Sequence, residues 1–258
     1  MIYLILVLCM SIPLLMPIDL PISIGKPVVD AYNTVESTPD GSIAFINFDY
    51  SSASATEMYP ISLAFMRHAV RKNFKFVTAT FASPDSILFE KQALELLDLS
   101  RYKYGVDYVL LGYFPGGDTS LAAFARDTQG LVKSDLEGRP TADMPLMQKI
   151  RSAKDFDIWL VGHYDPLIFI RQICAPYGAK VVAGVTSVVY PSHFQYYQSG
   201  QYKGVLNGVR GGAEYERLMR YYGPGSILLN ILSIYHVVLV GMIVVGNVVY
   251  LSRRLTKK

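Results

Sequence analysis

The chain has 258 residues, a formal net charge of +3 and 51% hydrophobic residues. Residues 27–225 carry 19 basic and 20 acidic side chains, so the positive balance comes from the C-terminal tail. A near-neutral domain lacks the basic surface that binds nucleic acid, and we expect no nucleic-acid partner. The two cysteines and the four scattered histidines form no zinc-ligand pattern, so we also expect no metal site and no other cofactor.

An apolar block at residues 2–16 opens the chain and makes the role of segment 1–22 ambiguous. Neither Lys nor Arg precedes Lys26, and no Ala-x-Ala motif follows the block, which disfavours a cleaved signal peptide. About 15 residues is also short for a full transmembrane span. We expect an uncleaved hydrophobic anchor; a signal segment and a short re-entrant or interfacial piece are the alternatives.

Apolar runs of strand length alternate with helical patterns through residues 27–222. The predicted strands are 43–49, 75–82, 106–114, 156–162 and 180–189, and residues 133–148 between them indicate an inserted loop. Strands that are apolar at successive positions suit a parallel sheet that is buried on both faces. We therefore predict a Rossmann-like or flavodoxin-like three-layer α/β domain, with a mainly parallel sheet of about five strands.

Several polar residues follow the predicted strands, at the edge where open α/β sheets bind their ligands. These are Asp49 after the first strand, Gly116, Gly117 and Asp118 after the third, His163 and Asp165 after the fourth, and His193 after the fifth. We take Asp49, His163 and Asp165 as candidate catalytic residues. The Gly-Gly-Asp turn is a candidate ligand-binding site, where backbone N–H groups at the start of a helix can hold an anion.

Each of these candidates also has a structural explanation. Asp165 precedes a proline and suits a helix N-cap, and Asp49 can order a loop. The glycine pair matches neither GxGxxG nor GxxxxGK[ST], so it can be a plain tight turn. His163 and Asp165 are two positions apart, and their side chains meet only if the loop between them folds back.

Glycines recur every four residues after the last predicted strand, at Gly200, Gly204, Gly208 and Gly212. On a helix they would form one ridge that lets another backbone approach closely, and Tyr196 and Tyr197 beside it are of a residue type favoured at interfaces. Packing inside one subunit is the simpler explanation of this pattern. A subunit interface is the functional explanation, and close approach of a ligand is a third.

Residues 226–251 form a nearly unbroken apolar run of 26 residues, and the basic tail 252–258 follows it. A helix needs about 20 apolar residues to cross a bilayer, so we predict a transmembrane helix here. Basic residues beside a span favour the cytoplasmic side. We therefore expect a cytoplasmic tail, and an extracytoplasmic domain that the helix holds at the cell membrane.

Interaction features outnumber chemical ones along the sequence. We therefore expect a non-enzymatic structural or assembly subunit of a membrane complex, in which the α/β domain associates with its own copies or with other membrane proteins. The lipid bilayer would be its other partner. The alternative is an extracytoplasmic domain that binds or hydrolyses a small ligand at the carboxyl ends of the strands.

Overall fold

The computed structural model describes residues 20–255 and, before them, positions 7 and 11. The expected N-terminal anchor therefore lies largely outside the described residues, as does the end of the basic tail. Within the described part, residues 26–218 form an α/β domain, and a long apolar helix follows it.

Six parallel strands form the central sheet of the described chain, in the order β3-β2-β1-β4-β5-β6. The strands are β1 Ile43–Asp49, β2 Lys75–Thr80, β3 Tyr108–Tyr113, β4 Ile158–His163, β5 Val181–Val185 and β6 Tyr202–Asn207. This is the strand order of the Rossmann fold and not that of the flavodoxin fold. The predicted three-layer α/β architecture is confirmed, with six strands in place of about five.

Helices cover both faces of the sheet. In chain order they are α1 Lys26–Ser37, α2 Ala55–Arg71, α3 Ser86–Glu95, α4 Asp118–Arg126, α5 Thr128–Leu131, α6 Pro145–Lys149, α7 Leu167–Tyr177, α8 Tyr190–Gln198, α9 Gly208–Leu218 and α10 Pro224–Leu255. Helices α1, α2, α3 and α9 share one core with Phe65 and Tyr215, whereas α4, α6, α7 and α8 pack on the opposite core around Trp159. The chain therefore changes from one face of the sheet to the other between β3 and β4.

The four regularly spaced glycines do not form a ridge on one helix. Gly200 lies in a turn with φ +78°, Gly204 lies in β6, Gly208 begins α9 with φ +47°, and Gly212 lies within α9. A Cβ on Gly204 would lie 2.4 Å from the Cα of Ala31, so this glycine lets α1 lie directly on β6. The spacing thus reflects turns and close packing inside one chain, and this placement does not favour a subunit interface.

Helix α10 is, among the described residues, the helix that is long and apolar enough to cross a membrane. It begins at Pro224 and ends at Leu255, and so extends beyond the predicted span 226–251 at both ends. Many of the large apolar residues along it, from Leu232 to Leu251, are exposed, by 42% to 73%. A helix rises 1.5 Å per residue, so this exposed stretch is about 30 Å long, which matches the hydrocarbon thickness of a bilayer.

A buried carboxylate joins α10 to the domain. The side chain of Glu216 in α9 accepts hydrogen bonds from the backbone N–H groups of Gly223, Gly225 and Ser226, at 3.2, 2.9 and 2.8 Å. It also accepts one from the Ser226 hydroxyl at 2.8 Å. The first N–H groups of a helix have no partner within the helix, and a negative charge beside them is stabilising. Glu216 therefore caps α10 and fixes how it leaves the domain.

The N-terminal end of the described chain lies against the same helix, α9. Arg217 Nη2 donates a hydrogen bond of 2.7 Å to the carbonyl oxygen of Leu20. The backbone N–H of Gly25 donates to Glu214 Oε2 at 2.9 Å. Both ends of the domain are thus held on α9, beside the point where α10 begins.

Glu90 in α3 is a buried acid that faces the sheet. The hydroxyl of Thr78 in β2 donates a hydrogen bond to Glu90 Oε1, and only 1% of the residue is exposed. Burial away from water penalises the charged form and raises the pKa of Glu90 from 4.5 to about 7. The folded chain therefore holds this acid mostly protonated in mildly acidic solution.

We expect Glu90→Gln to remove a pH dependence of stability. Because the pKa of Glu90 is raised in the folded state, its contribution to stability is fully present below pH 4.5 and is lost as the pH rises to about 7. Over that interval the wild type should lose roughly 3 kcal/mol of unfolding free energy, which the Gln variant keeps. Urea unfolding, followed by circular dichroism across this pH range, measures the difference.

The control for this experiment is Glu137→Gln, because the Glu137 side chain is 64% exposed. This variant should retain the pH profile of the wild type. A Glu90→Gln profile that also runs parallel to the wild type would show that Glu90 ionises normally in the folded chain.

Candidate functional site

The neighbouring strands β1 and β4 mark the point where the sheet changes direction. The chain leaves β1 toward α2 on one face and leaves β4 toward α7 on the other face. Such a switch point opens a crevice beyond the carboxyl ends of the strands, where Rossmann-like folds bind their ligands. Asp49 and His163, the last residues of β1 and β4, are register partners at this point.

The Asp49 carboxylate is fully buried and holds the loop after β2. It accepts hydrogen bonds from the Thr80 hydroxyl at 2.6 Å, the Phe81 N–H at 2.9 Å, and the N–H groups of Ala82 and Ser83. A carboxylate that accepts this many hydrogen bonds has a structural role. This agrees with the alternative explanation from the sequence, that Asp49 orders a loop. Asp49 therefore shapes the crevice indirectly. It fixes the backbone of the loop after β2, and it lies beside His163.

His163 presents an unpaired hydrogen-bonding atom. Its Nδ1 accepts a hydrogen bond of 2.9 Å from the backbone N–H of Asp165, so the proton of the neutral ring is assigned to Nε2. Nε2 lies 3.7 Å from Asp49 Oδ2, beyond hydrogen-bond distance, and it has no partner among the described residues. Burial lowers the pKa of the His163 imidazole, which keeps the ring neutral.

A cavity of about 410 Å³ opens beside His163. The loops after β2, β3 and β4 and the first turns of α7 supply its walls. The lining residues are Phe81, Ala82, Tyr113, Gly117, His163, Tyr164, Asp165, Leu167, Ile168 and Arg171. Its walls thus combine aromatic and aliphatic side chains with the polar groups of His163, Asp165 and Arg171.

Asp165 contacts the start of α7 and also lines this cavity. Its Oδ1 accepts a hydrogen bond from the Leu167 N–H at 3.4 Å, at the start of α7, and lies 2.8 Å from His193 Nε2. The His193 side chain is only 3% exposed and its Nδ1 lies 3.3 Å from the Tyr202 hydroxyl. The loop does fold back between His163 and Asp165, but His163 meets the backbone N–H of Asp165 and not its carboxylate.

The Gly-Gly-Asp turn forms one side of the cavity. Gly116 and Gly117 have φ values of +116° and +53°, which only glycine adopts readily, and they lead the chain into α4. The Oδ2 of Asp118 pairs with Arg171 Nη2 of α7 at 2.8 Å. Asp118 Oδ1 is buried without a hydrogen-bond partner among the described residues. The turn is therefore a tight turn and a wall of the cavity at the same time.

Sequence reasoning missed Arg171, which lies inside a helix and belongs to no motif. The helix α7 changes to a π-turn at Ile170–Cys174, and this turn carries Arg171 to the cavity wall. Pro176, which lacks a backbone N–H and so cannot continue the normal helical bonding, was the available signal.

The interface candidates Tyr196 and Tyr197 make contacts within the chain. The Tyr197 hydroxyl donates a hydrogen bond of 2.5 Å to Asp30 Oδ2 in α1. The Tyr196 ring packs edge-on against Tyr202, with centroids 6.2 Å apart. These two tyrosines fasten α8 to α1 and β6, as the packing alternative requires.

No protein-family model matches the sequence, and no curated protein matches it either. The proposal for its function therefore rests on the geometry of the cavity and of α10.

We expect Asp49→Ala to destabilise the protein strongly. The variant leaves the buried N–H groups of Phe81 and Ala82 without an acceptor, which should lower the unfolding free energy by about 3 kcal/mol. The exposed Asp85, which accepts hydrogen bonds from Ser52 in the same region, provides the control. Asp85→Ala should lower the unfolding free energy by less than about 1 kcal/mol. Urea denaturation of the full chain in mild detergent compares the two, and equal losses would contradict the role of Asp49.

Proposed function

We propose that this protein binds a small polar ligand in the cavity beside His163, within a Rossmann-like domain that α10 anchors to a membrane. The observation that carries the proposal is the cavity at the switch point, whose wall combines the polar side chains of His163, Asp165 and Arg171 with aromatic rings. A concave site with a few polar groups is typical of small-molecule binding.

The location of the cavity supports the same proposal. It lies beyond the carboxyl ends of the strands, next to the switch point between β1 and β4. Ligands of open α/β sheets bind in this crevice because the connecting loops diverge there to opposite faces. Gly117, His163 and Asp165, which follow or end neighbouring strands, thus line one cavity.

The residues of the first loop argue against a dinucleotide as the ligand. Rossmann folds that bind dinucleotides place glycines after β1, so that the pyrophosphate can approach the backbone. Here Tyr50, Ser51 and Ser52 follow β1, and the Tyr50 side chain is fully buried. The fold shares its topology with those proteins but not the chemistry of their phosphate site.

Binding is better supported than hydrolysis. The described residues that line the cavity include no serine, threonine or cysteine that could attack a substrate. Cys174 lies in the neighbouring helix, but burial raises the pKa of its thiol to about 12, so it stays protonated. Ligand binding without covalent chemistry also agrees with the expectation of a non-enzymatic protein.

A role as an assembly subunit has less support. The regularly spaced glycines that suggested it are used for turns and for packing α1 and α2 against β6 and α9. The two tyrosines beside them likewise have partners inside the chain. Self-association or binding to other membrane proteins would have to use the exposed apolar side chains of α10.

We expect His163→Phe to weaken ligand binding, because it removes the imidazole Nδ1 that accepts a hydrogen bond from the Asp165 N–H and so holds this part of the cavity wall. Ile168→Trp should do the same by filling the cavity without a change at His163. A thermal-shift screen of polar metabolites, followed by native mass spectrometry on the wild type in mild detergent, identifies a ligand. Both variants should bind it at least about tenfold more weakly, a loss of about 1.4 kcal/mol.

The control is Lys133→Ala, since Lys133 is exposed and lines a different cavity. It should bind the ligand as the wild type does. The proposal fails if no compound binds the wild type, or if all three variants bind as the wild type does.

We further propose that the domain lies outside the cytoplasm and the tail inside it. The tail 252–258 carries four basic residues, and basic residues beside a span favour the cytoplasmic side. A membrane-impermeant maleimide should label Lys133→Cys in intact cells, and should label Thr256→Cys only after lysis. The reverse pattern would place the domain in the cytoplasm.

A further inference from the structure

We infer that a pocket beside the start of α10 binds the phosphate headgroup of an anionic phospholipid. The pocket has a volume of about 330 Å³ and is lined by Arg217, Arg220, Tyr221 and Tyr222, at the end of α9 and in the turn that leads to α10. The inference rests on the proposed anchoring of the domain by α10 and does not involve the cavity beside His163. The charge of the pocket, the turn that forms it and its height above the bilayer support it.

Positive charge is concentrated at this pocket. Arg220 is exposed, and its guanidinium forms neither an ion pair nor a hydrogen bond with the residues that the structure describes. The Arg67 guanidinium lies 4.3 Å from the centre of the Tyr221 ring and also has no ion pair within the described chain. Arg217 adds a third guanidinium, from which Nη2 donates to the carbonyl oxygen of Leu20. An anion at this place is therefore attracted from several sides.

Two acidic side chains lie near these arginines, and neither neutralises them. The Glu216 carboxylate already accepts hydrogen bonds from three N–H groups and one hydroxyl at the start of α10. Burial penalises its charged form and raises its pKa. Glu95 acts on the pKa of Tyr59, as Arg67 does, but it is exposed and forms no ion pair with Arg67.

The turn that carries Arg220 has a conformation that favours glycine. The Arg220 N–H donates a hydrogen bond of 3.0 Å to the carbonyl oxygen of Arg217. The Tyr221 N–H donates one of 2.9 Å to the carbonyl oxygen of Glu216, which completes a Schellman motif at the end of α9. Arg220 has φ +55°, a left-handed conformation that strains a residue with a Cβ. Glycine would form this turn more easily, so the arginine indicates a role for its side chain.

The pocket lies within reach of the lipid headgroups. The exposed apolar stretch of α10 begins at Leu232, eight residues after Pro224, which corresponds to about 12 Å of helix. The headgroup layer covers about 5–8 Å of this distance, and a long arginine side chain can extend toward it. The Asn230 side chain donates a hydrogen bond of 3.0 Å to the Tyr222 hydroxyl, which holds the turn against the first turns of α10.

An anionic lipid suits the pocket better than a zwitterionic lipid or a free anion. A choline headgroup adds an ammonium, which the guanidiniums would repel, and Arg67 already covers one face of the Tyr221 ring. A free phosphate ion has to be drawn from solution. The phosphate of a lipid is instead concentrated at this height by the bilayer, so modest contacts are enough to hold it.

The test titrates the full chain in mild non-ionic detergent with phosphatidylglycerol, phosphatidylcholine or inorganic phosphate, and follows the bound molecules by native mass spectrometry. The wild type should bind phosphatidylglycerol at least about tenfold more tightly than the other two. Arg220→Gln should weaken that binding about fivefold, because one arginine near an anionic lipid contributes about this factor. The matched control Arg126→Gln, which changes an exposed arginine of α4, should bind as the wild type does.

Arg220→Gly supplies a second readout that a misfolded variant would not give. Glycine adopts the left-handed conformation without strain, so the midpoint of thermal unfolding should rise by about 2 °C. The same variant should lose phosphatidylglycerol binding to the extent that Arg220→Gln does.

Three results overturn the inference. The first is equal binding of phosphatidylglycerol and phosphatidylcholine by the wild type. The second is binding of inorganic phosphate as tight as that of phosphatidylglycerol, which would make the pocket a site for a free anion. The third is a preference for phosphatidylglycerol that survives both Arg220 variants, or that Arg126→Gln reduces equally.

Flotation with phosphatidylcholine vesicles tests the anchor separately. After removal of the detergent, the wild type and Arg220→Gln should both float with the vesicles, because α10 inserts whether or not the pocket holds a lipid. A wild type that stays in solution would contradict the anchoring by α10, and the lipid site with it. A wild type that floats but shows one of the three results above would contradict the lipid site alone.

Discussion

The hydrogen bonds of the Asp49 carboxylate determine the geometry of the crevice. This side chain ends β1 and receives the Thr80 hydroxyl and three consecutive backbone N–H groups from the loop after β2. The loop supplies Phe81 and Ala82 to the cavity, so its position decides the shape of that wall. Asp49 also lies beside the buried face of His163. One buried carboxylate therefore links the central strand β1, the loop after β2 and the cavity residue His163.

The strands could be predicted from the sequence wherever a run of apolar residues marks them. Five apolar runs predicted β1 to β5, and the first of them has the same limits, Ile43–Asp49, in the structure. Strand β6 was missed because Lys203 and Gly204 break its apolar pattern, and because the four-residue spacing of the glycines imitates a helix. Of these glycines, Gly204 and Gly212 are required by contacts with α1 and α2, which are distant in sequence. The strand order likewise depends on distant pairing and leaves no local pattern.

The site was predictable to a similar extent. Asp49, His163 and Asp165 could be placed at strand ends, because the carboxyl edge of a parallel sheet is set by the direction of its strands. Their roles could not be predicted, since these depend on which backbone groups surround them. Asp49 is satisfied by a loop and Asp165 Oδ1 by a helix end and His193, whereas His163 Nε2 is buried without a hydrogen-bond partner among the described residues. Arg171 was missed because its place follows from a π-turn and from pairing with Asp118.

The hydrogen bonds of Glu216 limit how the α/β domain can move relative to α10. Its carboxylate accepts hydrogen bonds from N–H groups both in the segment before α10 and in the first turn of α10. The connection between the domain and the helix is therefore not a flexible linker. In a bilayer, such a joint leaves the domain free to spin about the membrane normal but restricts its tumbling. Any tilt of α10 would then be passed directly to the domain.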